Sequence, residues 1–143
     1  MSVNSAIGLF GGNNAPVSVP IISIDTDFPQ NVASGDTANA LTNFVVPKGS
    51  FLLQGWINIL SDGGINDITQ CDVQVEVNGL AVQTTEGVNG SSVATLPFSG
   101  LLIVSDGTAT LTIEITATIA SAGAWDIGIS GTNQAKIYLL QIA

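Results

Sequence analysis

The chain has 143 residues, with 11 Asp or Glu, two Lys, no Arg and no His, a formal charge of −9 and only 9% charged residues. Soluble domains usually carry roughly 25% charged residues; here Ser, Thr, Asn, Gln and Gly take that place while apolar residues stay at 45%. Nothing neutralises phosphates, which excludes nucleic acid and an electrostatic hold on a membrane, and without histidine the usual general base and zinc ligand are missing, so no enzymatic activity is expected.

The length suits one domain with one core. The first residues lack a basic region and their apolar run is too short for a signal peptide, and no stretch nears the roughly 18 apolar residues of a membrane span. Residues 1–16 hold Gly8, Gly11, Gly12, Asn13, Asn14 and Pro16 around a small apolar patch. This composition predicts an extended arm, with Ile7, Leu9 and Phe10 docking on a neighbouring subunit, ahead of a single domain over 17–143.

From residue 17 onward the hydropathy has a period of two, the signature of half-buried strands. Strands are predicted over 17–24, 41–46 and 50–60. The next runs over 71–78, where Cys71, Val73, Val75 and Val77 alternate with Asp72, Gln74, Glu76 and Asn78. Asn78-Gly79 supplies the two positive-φ residues of a primed turn, and 80–85 returns as the partner strand. Strands follow over 93–98 and 100–105, with Asp106-Gly107 read as a second hairpin turn before the Thr-rich strand 108–119. The last two cover 125–129 and 134–142. With no helical periodicity, the pattern predicts an all-β antiparallel β-sandwich or jelly roll of about ten strands.

Three predicted strands are apolar on both faces. In 50–60, Phe51, Leu53, Ile57 and Ile59 share one face while Leu52, Trp56 and Leu60 take the other. In 134–142, Ala135, Ile137 and Leu139 oppose Tyr138, Leu140 and Ile142, and in 98–104 Leu101 and Ile103 oppose Phe98, Leu102 and Val104. A chain of this size has too little material to cover both faces of one layer, so the second face is expected to meet another subunit.

Several segments resemble the trimeric jelly-roll superfamily of tumour necrosis factor and the complement globular heads. Phe44-Val45-Val46-Pro47-Lys48-Gly49-Ser50-Phe51 resembles the family's F-x-V-P-x-x-G-x-Y stretch, with Phe51 at the aromatic position. Val75-Glu76-Val77-Asn78-Gly79 is similar to its v-x-V-N-G hairpin. Leu101 to Leu111 resembles its L-x-L-x-x-G-D-x-v-x-L segment, with Asp-Gly in reversed order, and Ala135 to Ala143 resembles its last strand. The microbial branch, the heads of collagen-like spore-surface proteins and phage surface proteins, shares the low charge. The resemblance implies a TNF-like jelly roll and a homotrimer whose three-fold axis is lined by apolar and aromatic side chains, here Leu52, Trp56, Tyr138 and Leu140. No Gly-X-Y run is present, so no collagen stalk is expected.

Candidate chemistry is sparse. No pair of carboxylates has the spacing of a hydrolase site. The loop with Asp62, Asn66 and Asp67 carries hard oxygen ligands of the kind that suit calcium, but lacks the EF-hand Glu, so turn formation is the expected role and no cofactor is expected. Cys71 fits a small buried hydrophobe. Trp125, beside Asp126 in a Gly-rich stretch, is a candidate platform for stacking a glycan. The expected function is that of a structural protein: a homotrimeric decoration (cement) or fibre-head protein on a virion surface, with a capsid or particle protein as partner. The alternative is a receptor- or glycan-binding head on a phage fibre or bacterial spore surface.

Overall fold

The computed structural model describes residues 21–23, 28–62, 68–87, 92–120, 123–129 and 134–143. They form eight strands and no helix: β1 (Ile21–Ser23), β2 (Val32–Ala33), β3 (Thr37–Ser61), β4 (Ile68–Val77), β5 (Leu80–Gly87), β6 (Val93–Ile119), β7 (Ala124–Ile127) and β8 (Lys136–Gln141). Every pairing is antiparallel, in the order β1-β8-β3-β6-β4-β5, with β7 bonded to β3 and β2. The β-branched alternation visible in the sequence is what these strands need, since each places one row of side chains inward and one outward.

Two strands organise the rest. β3 has 25 residues and β6 has 27, against a usual length of roughly five to six, and they turn a corner together. Gly49 faces Val104 and Pro47 faces Thr108, so β6 spends residues 105–107 where β3 spends only Lys48. This bulge bends the ladder. Gly49 (φ 148°) and Gly107 (φ 64°) both lie in the region that glycine adopts without penalty. The first half of β3 and the second half of β6 lie with β4 and β5 in layer one. The other halves lie with β1, β7 and β8 in layer two. Because β3 and β6 serve both layers, eight elements supply ten strand segments, and the fold is the antiparallel jelly-roll sandwich expected from the sequence.

The reversal expected at Asp106-Gly107 does not occur. A primed two-residue turn needs positive φ at both positions, and only Gly107 of this pair has it, so the chain bulges and continues along the same ladder. At Asn78-Gly79 both residues do (φ 52° and 78°), and β4 reverses into β5 as expected. The backbone N–H and the Oδ1 of Asn78 are further tied to the carbonyl and N–H of Thr110, each at 2.9 Å.

The core lies between the layers. Leu111, Ile113 and Ile115 of layer one face Phe51, Ile57, Ile137 and Leu139 of layer two, all fully buried. At Gly55 the β3 and β8 backbones come so close that a Cβ would collide with the Lys136 carbonyl oxygen and lie 2.7 Å from the Phe98 ring. Gly55→Ala is therefore expected to destabilise the fold by about 1–3 kcal/mol, the usual cost of overpacking, as measured by urea unfolding; an unchanged midpoint would show that the contact relaxes freely.

Candidate functional site

The outward rows of layer two come from β3, β6 and β8, whose registers place them side by side. Leu52 lies between Leu101 and Leu140, Gln54 between Ser99 and Tyr138, and Trp56 between Pro97 and Lys136. Directly opposed side chains on one sheet face are close neighbours, so Leu101, Leu52 and Leu140 form one apolar row and Pro97 and Trp56 begin another. Lys136 is the only charged side chain in these rows. The Trp56 indole is held by a 2.9 Å bond from Nε1 to the Gln134 carbonyl, and its ring stands 6.2 Å from that of Tyr138 at 54°. Beside the pair, Gln54, Gln83, Pro97 and Ser99 complete a hollow of about 500 Å³.

The four residues expected to line a subunit contact, Leu52, Trp56, Tyr138 and Leu140, thus share one face. That face runs into a second apolar surface at the sheet edges. Among the described residues layer one ends at β5, and in layer two the first half of β6 pairs only with β3, since β4 bonds β6 from Leu111 to Ile119. Along these two edges Leu80 is 72% exposed, Val82 62%, and Leu101 and Ile103 63% each.

The outer face of layer one is the opposite in character. It carries Thr110, Thr112, Glu114 and Thr116 of β6 and Asp72, Gln74 and Glu76 of β4, placed outward by the alternation that buries Ile113, Ile115, Val73 and Val75. Thr37 and Thr116 share a hydroxyl bond at 2.8 Å, and Gln74 donates to Glu76 at 2.9 Å. This face is built for water. Of the described carboxylates, Asp72, Glu76 and Glu114 lie here and Asp36, Asp62 and Asp106 in turns, loops or the bulge, while Asp126 of β7 stands opposite Leu60 on the outer side of layer two, at the far end of β3 from Leu52.

Other candidates fall elsewhere. Trp125, expected as an exposed platform, is fully buried, and its Nε1 donates to the Ala33 carbonyl at 3.1 Å; the alternation of β7 turns it into the core, so it offers no face to a sugar. Asp126 accepts the Asn31 backbone N–H, and Asp62 accepts that of Ala124 at 2.8 Å, the turn-stabilising use of such side chains. Ile7, Leu9, Phe10, Asn66 and Asp67 lie outside the described residues. Among the described residues no three His, Cys, Asp or Glu side chains converge as a metal site, and no helix is long and apolar enough to cross a membrane. The exposed rim of β5 was not singled out from the sequence; its signal was Leu80 and Val82 directly after the Asn-Gly turn.

No family model matches this chain, and no curated protein matches it. Solved structures do. Murine APRIL matches with a TM-score of 0.52 at 11% identity over 87% of this chain and 100% of its own. A chain of T=1 particles derived from infectious bursal virus gives 0.51 at 12% identity over 86% of this chain and 31% of its own. The T13 infectious bursal disease virus particle gives 0.51 at 12%, over 92% and 33%. The fold is a TNF-like jelly roll, shared with viral jelly-roll capsid proteins. The present chain spans about a third of the length of those virus chains.

Cys71 opens the buried row of β4, where burial first and the neighbouring Asp72 charge second push its thiol up to about 11 from an ordinary 9.0. A neutral buried thiol is poorly reactive, so no modification by a thiol reagent at about pH 8 is expected until the protein unfolds. The folded chain keeps this proton above the pH at which the unfolded chain loses it. The associated stability is therefore complete below about pH 9 and is lost as pH rises toward about 11. Urea midpoints across that window should fall more steeply for the natural chain than for Cys71→Ala; parallel curves would contradict the assignment.

Proposed function

We propose that this chain is a non-enzymatic structural subunit that assembles with copies of itself, as a homotrimer, into the decoration or fibre-head layer of a virion surface. The observation that carries this reading is the outer face of layer two. Leu101, Leu52, Leu140, Trp56 and Tyr138 form a contiguous, nearly uncharged surface on a chain of charge −9. Contiguous apolar surface of this kind usually marks an interaction site.

Two further features support it. The apolar face and the apolar β5/β6 edge are different patches of one molecule. Edge-to-face contact is therefore heterologous, and repeating it closes into a ring when the rotation allows; closure at three is what the family resemblance implies. The placement on a virion draws on the low charge and the Thr-, Asn- and Gln-rich face of layer one, which stays solvated when layer two is covered. A capsid or particle protein is the proposed docking partner, reached by residues 1–16 through Ile7, Leu9 and Phe10.

A glycan-binding head is the second reading, favoured by one observation: the hollow beside Trp56 and Tyr138 combines two rings with the amides of Gln54 and Gln83, groups suited to stacking and bonding a sugar. The two readings part on one substitution. Leu140→Asp sets a charge in the middle of the proposed contact and away from the hollow, and is expected to weaken self-association by about tenfold or more while leaving the strand content unchanged. Light scattering that shows the natural chain and this variant with equal mass at all concentrations would sink the assembly reading, and glycan-array binding abolished by Trp56→Ala would put the second in its place.

A further inference from the structure

The inward positions of β6 through layer two are Ala94, Leu96, Phe98, Gly100, Leu102 and Val104, and every one except Gly100 carries a buried apolar side chain. Nothing among the described residues requires glycine there. Its φ is not among the positive values found at Gly35, Gly49, Gly79 and Gly107. A Cβ at Gly100 would meet only the Oε1 of Gln83, at 3.0 Å, the end of a flexible side chain. Gly55, where backbone crowds the position, shows what an obligatory glycine looks like. Glycine also weakens a strand and leaves its neighbours unpacked, so Gly100 is a poor choice for the isolated chain.

What Gly100 does is open a crevice of about 270 Å³ between the edges of β5 and β6. Leu53, Val75, Leu102 and Leu111 wall it, with Val82 and Leu101 at the mouth. We infer that this crevice is a socket for an apolar side chain presented by the outer face of layer two of a second copy of this chain. The inference rests on the assembly reading above.

Three observations select a second copy as the occupant. Among the described residues no charged side chain lines the crevice, so it selects an apolar group. The crevice and the hollow beside Trp56 share Gln83 and Ser99 in their linings, so the socket is continuous with the apolar face. The charge of −9 keeps copies apart wherever carboxylates stand, and no described carboxylate lines the crevice or the hollow beside Trp56, so two copies approach there with little repulsion.

The socket is tested by Gly100→Val, which fills it, and by Val82→Lys, which sets a charge at its mouth on an exposed position that the fold does not need. Sedimentation equilibrium with far-UV circular dichroism is the readout. The natural chain is expected to be trimeric, and each variant to keep its strand spectrum while its association weakens by about tenfold or more; Gly100→Val is further expected to unfold no earlier than the natural monomer. Trimers of undiminished affinity in Val82→Lys, or in a folded Gly100→Val, overturn the socket and leave the assembly reading standing. A natural chain that stays monomeric removes both. Should Gly100→Val fail to fold, Val82→Lys decides.

Discussion

The ladder between β3 and β6 is the constraint on which the rest of the molecule depends. Among the described strands it is the one pairing that runs through both layers, and the bulge of residues 105–107 against Lys48 fixes where the sheet folds over. Everything else attaches to it: β4 and β5 on one side of the corner, β8, β7 and β1 on the other. The alternation of side chains along a strand has a period of two, so the corner also sets which residues of β3 and β6 look outward in each layer. A shift of one residue would bury Leu101, Leu52 and Trp56 and turn Phe98, Phe51 and Ile57 to water.

The two outer faces that result follow from the same rule and differ only in composition. Layer one wears Thr, Gln and the acids, a surface that gains nothing by being covered. Layer two wears Leu, Trp, Tyr and Pro across β6, β3 and β8, with Lys136 as the one charge in those rows and Asp126 beyond them on β7. Burying apolar surface contributes roughly 25 cal/mol per Å², and a sparsely charged face on an acidic protein is a region where copies meet with little repulsion. The described carboxylates are thus unevenly spread, gathered on layer one and in turns with Asp126 on layer two as the exception.

Much of this was legible in the sequence. The strand runs and the Asn78-Gly79 turn follow from alternation and turn chemistry, which also set Leu52 with Trp56 and Tyr138 with Leu140; that the two pairs share one face is what the family resemblance implied. What alternation cannot carry is continuity. Asp106-Gly107 reads as a turn because the dipeptide is common in turns, yet the reversal depends on two successive positive-φ residues, which only the ladder on either side decides. Trp125 misled for a related reason: Gly-rich neighbours suggest an exposed loop, whereas its position on β7 opposite Val32 and Ser61 turns it inward. β2, two residues long, has no period to read, and the crevice at Gly100 exists only because β5 and β6 stop short of each other in space.

The central claim is that the outer face of layer two is covered by other copies of the same chain. Native mass spectrometry of the intact protein at micromolar concentration tests it most directly. The account predicts a dominant species of three times 14.5 kDa, about 43.5 kDa. A single species at 14.5 kDa across all concentrations would contradict it.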